Sequence, residues 1–188
     1  MGPDQLRGVL EAAALPATTV VLPHSSRSVA VTTVLRREAR WVGDVPESFR
    51  AVPNKPPLIY QGRPMWAEFI LLRLLERAGW SGVWVKNWGG RAFWRDVAAP
   101  VSLPPAVGEL FGLIERHTGN ARGGCWDIFA WHGDDVVFVE SKQRAKDALR
   151  RSQELWLECA IEQGIPLSSF FVAEWTIEST SRPEPRGG

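Results

Sequence analysis

The sequence predicts an α/β protein whose central sheet is flanked by helices. Three observations carry that prediction. Short apolar, β-branched runs bounded by Gly and Pro recur along the chain. Longer segments between them space their apolar residues for one helical face. From residue 64 the order is helix, strand, insertion, strand, strand, helix, strand. A length of 188 residues fits one domain, and a 45% hydrophobic content supplies a core.

The first 60 residues predict a β-rich N-terminal elaboration. Residues 5–14 are consistent with a short helix. Residues 18–22 and 28–35 are β-branched runs that predict strands, followed by Arg36, Arg37, Arg40 and a loop holding Pro46, Pro53, Pro56 and Pro57. A core over residues 61–177 follows. Pro64 at a first helical position predicts a helix that Gly79 closes. Residues 82–87 predict a strand. An insertion over 88–123 contains a turn at Gly89 and Gly90, a short strand at 92–94 and a helix from Pro104 or Pro105 to Arg116. Residues 125–131 and 135–142 predict two strands, 146–163 a long helix closed by Gly164, and 169–175 a last strand. The polar tail 178–188 predicts disorder.

Composition excludes several classes. A net charge of +1 and a pI near 7.9 leave no basic footprint over the whole surface, so any nucleic-acid contact must be a local cluster. Cys125 and Cys159 are far apart and outside any CxxC spacing, which argues against a disulfide framework or a zinc site. No signal peptide and no apolar run of about 18 residues is present, so a cytoplasmic protein without a membrane span is expected. Ten tryptophans are scattered along the chain. Core packing accounts for most. Trp88 and Trp94, set among Lys86, Arg91 and Arg95, also suit a base-stacking surface.

The chemistry sits on a hairpin. With Gly133 first of two central residues, a type II′ turn forms. Pairing then runs outward from His132 with Asp135 to Ile128 with Val139, and next to Asp127 with Glu140. Directly opposed side chains share a face at roughly 4.5–5.5 Å between Cβ atoms. Two carboxylates so placed among apolar neighbours need a cation or a raised pKa. Oxygen ligands suit Mg²⁺ or Mn²⁺. Lys142, two residues beyond Glu140, falls on the same face, where it can position a water or meet a phosphate. A solvated ion cluster at a hairpin end is the alternative.

Two helices carry polar residues on apolar stripes. Glu68 aligns with Leu71, Leu72 and Leu75, away from Arg73, Glu76 and Arg77. It is either a third carboxylate of the centre or a wet-end residue favoured by the helix N-terminus. Gln153 aligns with Leu149, Trp156 and Ala160, which points it at the same centre or into the core. Around it Lys142, Arg144, Lys146, Arg150 and Arg151 stand against only Glu140 and Asp147, a local basic cluster suited to phosphates.

Asp127 followed by Glu140-Ser141-Lys142, with the Glu68 helix before and a helix and strand after, resembles the PD-(D/E)XK nuclease superfamily. Gly124-Cys125-Trp126-Asp127-Ile128, Val139-Glu140-Ser141-Lys142 and Ser152-Gln153-Glu154-Leu155-Trp156-Leu157 together look like its VRR-NUC branch. The likeness covers about residues 64–176. It implies a restriction-endonuclease-like core, ordered α-β-β-β-α-β, that hydrolyses phosphodiester bonds with Mg²⁺ or Mn²⁺. By position, Asp127 and Glu140 would ligate the metal with the Ser141 backbone carbonyl, and Lys142 would assist the attacking water. Glu68 would be the helix-borne acid and Gln153 its polar counterpart on the later helix. DNA would be the partner, its backbone met by Arg122, Arg144, Lys146, Arg150 and Arg151, and a homodimer is compatible with the pattern. Trp126 departs from the proline usual before the first aspartate. Residues 1–60 and 88–123 match nothing in that pattern. A non-catalytic nucleic-acid-binding module on the same fold and an RNA-directed nuclease are the competing expectations.

Overall fold

The computed structural model describes residues 2–47, 55–86, 92–119 and 124–178. In chain order the elements are α1 (Arg7–Leu10), β1 (Ala13–Ala14), β2 (Thr18–Val21), β3 (Ser28–Ala39), β4 (Leu58–Tyr60), β5 (Arg63–Met65), α2 (Ala67–Arg77), β6 (Ser81–Lys86), β7 (Ala92–Trp94), β8 (Pro100–Val101), α3 (Pro105–His117), β9 (Ile128–His132), β10 (Asp135–Gln143), α4 (Arg151–Glu162) and β11 (Phe170–Glu178). The protein is mixed α/β with one large mixed sheet. Its strand order is β1-β3-β11-β10-β9-β6-β7-β8, with β2 also pairing β3. β10, β11 and β3 run parallel, while β9, β6, β7 and β8 continue the sheet antiparallel.

The β9–β10 hairpin has the register that its turn predicts, from His132 opposite Asp135 to Ile128 opposite Val139. Gly133 carries φ +59° while Asp134 stays at negative φ, as a type II′ turn requires. Strand alternation then sends neighbours to opposite layers. Phe129, Phe138, Phe170 and Val172 face a core shared with Phe111 and Ile114 of α3 and Trp156 and Leu157 of α4. Ile128, Ala130, Val137, Val139, Phe171 and Ala173 face a core shared with Leu72 and Leu75 of α2 and Leu10 of α1. Phe129, Phe138 and Phe170 are register partners and stack at 4.9 and 5.1 Å, locking β9, β10 and β11 together.

Several boundaries differ from the sequence expectation, each for a local reason. Pro64 lies in β5, not in a helix. Gln61 and Gly62 both adopt positive φ, a type I′ turn that folds β5 back on β4, so the helix begins at Ala67. The helix expected from Lys146 begins at Arg151. Ala145 sits at φ +62° in a turn where the Lys146 and Asp147 amides bond the Gln143 carbonyl, and Arg150 is extended at ψ 152°. The helix expected over 5–14 is α-helical only at Arg7–Leu10. β9 begins three residues later than expected, and β3 and β11 run further, with Arg36 and Arg37 inside β3. That strand pairs with β11 from Thr32 to Ala39, so the N-terminal segment contributes to the central sheet. The expected tail beyond Glu178 lies outside the described residues.

Candidate active site

The sequence beyond the last β9–β10 pair shapes the site. Asp127 precedes β9, where its carbonyl accepts the Val85 amide at 2.7 Å and its own amide donates to Glu140 Oε2 at 3.1 Å. Asp127 Oδ2 in turn accepts the Ser141 amide at 3.1 Å. Each carboxylate is therefore fixed by the other strand's backbone. Because the Ser141 amide faces this side and a strand residue's N–H and C=O point the same way, the Ser141 carbonyl also faces out beyond the ladder's end at Ile128.

Glu140, Lys142 and Gln153 form a buried triangle. Lys142 Nζ lies 2.9 Å from Glu140 Oε1 and donates to Gln153 Oε1 at 3.1 Å, while Gln153 Nε2 donates to Glu140 Oε1 at 2.6 Å. Gln153 Oε1 also accepts the Arg150 amide at 3.0 Å, the reach-back of an N3 side chain that caps α4. Trp126 is fully buried and donates its indole N–H to the Gln153 carbonyl at 3.1 Å, tying the Asp127 loop to α4. Gly124 has no room for a side chain, since a Cβ there would meet the Ser152 carbonyl at 2.6 Å. Ser141 Oγ accepts the Trp175 indole N–H at 3.1 Å.

Glu68 lies in the first turn of α2 and is buried, as its place on the apolar stripe predicts. The partner it finds is one that the sequence reading missed. Lys55, two residues before the point where the Trp41 amide holds the Pro57 carbonyl, sets its Nζ 2.5 Å from Glu68 Oε1 and 5.0 Å from the Trp84 ring centre. No spacing rule links a residue behind a proline-rich loop to a helix 13 positions on. Lys55, Glu68, Asp127, Glu140, Ser141, Lys142, Asp147, Arg150 and Gln153 line one cavity.

The electrostatics follow from this crowding. Burial, then the charges of Glu140 and Glu68, hold the Asp127 carboxyl well above its ordinary range, against Lys55 and the Ser141 amide. Burial also raises Glu140, against the opposing pull of Lys142, the Asp127 amide and Gln153. Burial alone would lower Lys55, but the Glu68 and Asp127 charges outweigh it, and its pKa rises. An anionic oxygen pair whose charged form is disfavoured is what a hard divalent cation stabilises. Asp127, Glu140 and the Ser141 carbonyl offer an all-oxygen donor set of the kind that could hold a hard divalent cation. Among the described residues, the one His/Cys/Asp/Glu trio with all ligand atoms within 4.8 Å lies elsewhere, at His24, Glu158 and Glu162. In the site described here, Glu68 is turned to Lys55.

The expected basic residues divide. Arg144, Lys146, Arg150 and Arg151 are all exposed around the β10–α4 connection, Arg150 on the cavity and Arg144 3.4 Å from Glu174. Arg122 lies outside the described residues, as do Trp88 and Arg91 of the expected stacking surface. Trp94 is half-buried opposite Trp84 in the sheet, and Arg95 is tied to Glu76 at 2.8 Å. Cys125 and Cys159 are buried and are not joined in a disulfide. No helix among the described residues is long and apolar enough to cross a membrane. Compared with known proteins, the chain matches no family model, no curated protein and no solved structure.

Proposed function

We propose that the protein is a Mg²⁺- or Mn²⁺-dependent nuclease of the PD-(D/E)XK type, acting on phosphodiester bonds in DNA. The observation that carries this is the reciprocal hold of Asp127 and Glu140 across the end of the hairpin, with Lys142 on Glu140 and in the same cavity. The succession α2, β6, β9, β10, α4, β11, with β6-β9-β10-β11 adjacent in the sheet, supports a restriction-endonuclease-like core.

Asp127, Glu140 and the Ser141 carbonyl would hold the ion, which when bound polarises a phosphate and lowers the pKa of water. Lys142 donates hydrogen bonds from a fixed place, and its ammonium can orient the attacking water and offset charge on the phosphate. Gln153 keeps Lys142 and Glu140 in one geometry by bonding both. The exposed Arg150, Arg151 and Lys146 suit the DNA backbone on either side. The test is a panel of linear, flapped, branched and single-stranded DNA, with RNA alongside, incubated with Mg²⁺ or Mn²⁺. Cleavage of at least one DNA form, absent with EDTA, is expected. DNA binding with no cutting would favour a non-catalytic module on this fold.

A further inference from the structure

We infer that Lys55 stands in for a second metal ion, so that the centre takes one divalent cation. The inference rests on the metal-centre reading and concerns how many ions that centre accepts. Four carboxylates, Glu68, Asp127, Glu140 and Asp147, and three cationic groups, Lys55, Lys142 and Arg150, line the same cavity. With every group charged, the formal sum is one negative charge. One divalent ion and one singly charged phosphate diester bring it to zero, whereas a second ion would leave it strongly positive in a desolvated setting.

The geometry assigns the two halves of the site to different cations. Lys142 bonds Glu140, and the donor atoms of Asp127, Glu140 and Ser141 gather at the end of the hairpin. Glu68, the carboxylate that would complete a second ion's shell, gives Oε1 to Lys55 at 2.5 Å. Lys55 is held from three directions: by Glu68 on α2, by the face of Trp84 on β6, and by the Trp41–Pro57 backbone bond two residues on. A cation so fixed against a ring face and a carboxylate is built into the site.

Isothermal titration of the full chain with MnCl₂, checked by manganese electron paramagnetic resonance, reads the number of ions directly. Wild type is expected to bind one Mn²⁺ per chain. Lys55→Met, which keeps the stem but removes the charge, is expected to bind a second, weaker Mn²⁺, and the double variant Lys55→Met with Glu68→Gln to return to one. Lys55→Gln, which also removes the charge but keeps a polar end, is expected to take a second Mn²⁺ as well, and its count decides the matter should Lys55→Met not fold by circular dichroism. Two ions in wild type, or still one in a folded Lys55→Met, would overturn the role of Lys55 and leave the metal centre standing. No binding to wild type would overturn the metal centre itself.

Discussion

Asp127 and Glu140 hold each other's strand. The Glu140 carboxylate accepts the Asp127 amide and the Asp127 carboxylate accepts the amide next to Glu140, both at 3.1 Å. Two acids are thus fixed at close quarters by neutral donors that steady their position without neutralising both charges. With both acids charged the arrangement costs stability, a cost that a bound cation would relieve.

The first prediction follows from this cost. Both acids are raised above their ordinary pKa, so the folded state binds more protons than the unfolded state between the two values. Stability of the metal-free protein therefore falls as pH rises from the ordinary carboxylate range through the raised values. Asp127→Asn keeps an acceptor for the Ser141 amide and removes a charge. In EDTA at neutral pH it is expected to raise Tm by ~2–4 °C, the shift that ~1 kcal/mol makes at this size. A variant melting below wild type in EDTA would show that the acids do not repel.

A second prediction concerns Gln153, which bonds Glu140 and Lys142 at once and accepts the Arg150 amide. Gln153→Ala is expected to lower metal affinity or cleavage by about 10–100-fold, the scale seen when a ligand's supporting partner is lost. Mn²⁺ titration and a cleavage time course measure it. Wild-type values in both would reduce Gln153 to a helix cap.

Much of this site was legible in the sequence, and the reasons are local. Gly133 selected the turn and the turn fixed the register as far as Ile128 opposite Val139; the expected Asp127–Glu140 pair lies one step beyond that ladder, where the two residues meet through backbone-to-carboxylate hydrogen bonds. Glu68 and Gln153 were legible as polar residues in apolar rows. Lys55 was not, because its contact with Glu68 is set by tertiary placement and not by any spacing along the chain. The start of α4 was misread because residues 146–150 have helical composition, while the backbone spends them on a turn at Ala145. The place of β3 beside β11 was equally hidden, since pairing between the first long strand and the last has no short-range signature.

Gly124 supplies a third prediction. Its missing side chain lets the Asp127 loop approach the Ser152 carbonyl. Gly124→Ala must push that loop from α4, at a cost of about 1–3 kcal/mol. A thermal melt at or above the wild-type Tm would contradict it.

The fourth lies away from the site. Glu158 on α4 is buried and accepts the His24 and Ser25 amides, both at 2.7 Å, pinning the loop between β2 and β3. Burial works to raise its pKa, but these hydrogen bonds and the nearby His24 outweigh it and lower it. Its contribution to stability is therefore present above the ordinary carboxylate range and lost as pH falls through the lowered value. Glu158→Ala leaves two amides without their acceptor and is expected to cost about 1–3 kcal/mol at neutral pH. Urea unfolding at pH 7 and below pH 4 checks both size and sign, because the difference from wild type must shrink in acid.

The central claim is the chemistry of Asp127, Glu140 and Lys142, and cleavage by single-site variants tests it most directly. Wild type, Glu140→Ala and Lys142→Ala are incubated with the DNA form that wild type cuts, in Mg²⁺ or Mn²⁺, after circular dichroism has shown that all three are folded. The account predicts cutting by wild type that EDTA abolishes, and none above background by either variant. Undiminished metal-dependent cutting by folded Glu140→Ala or Lys142→Ala would contradict it.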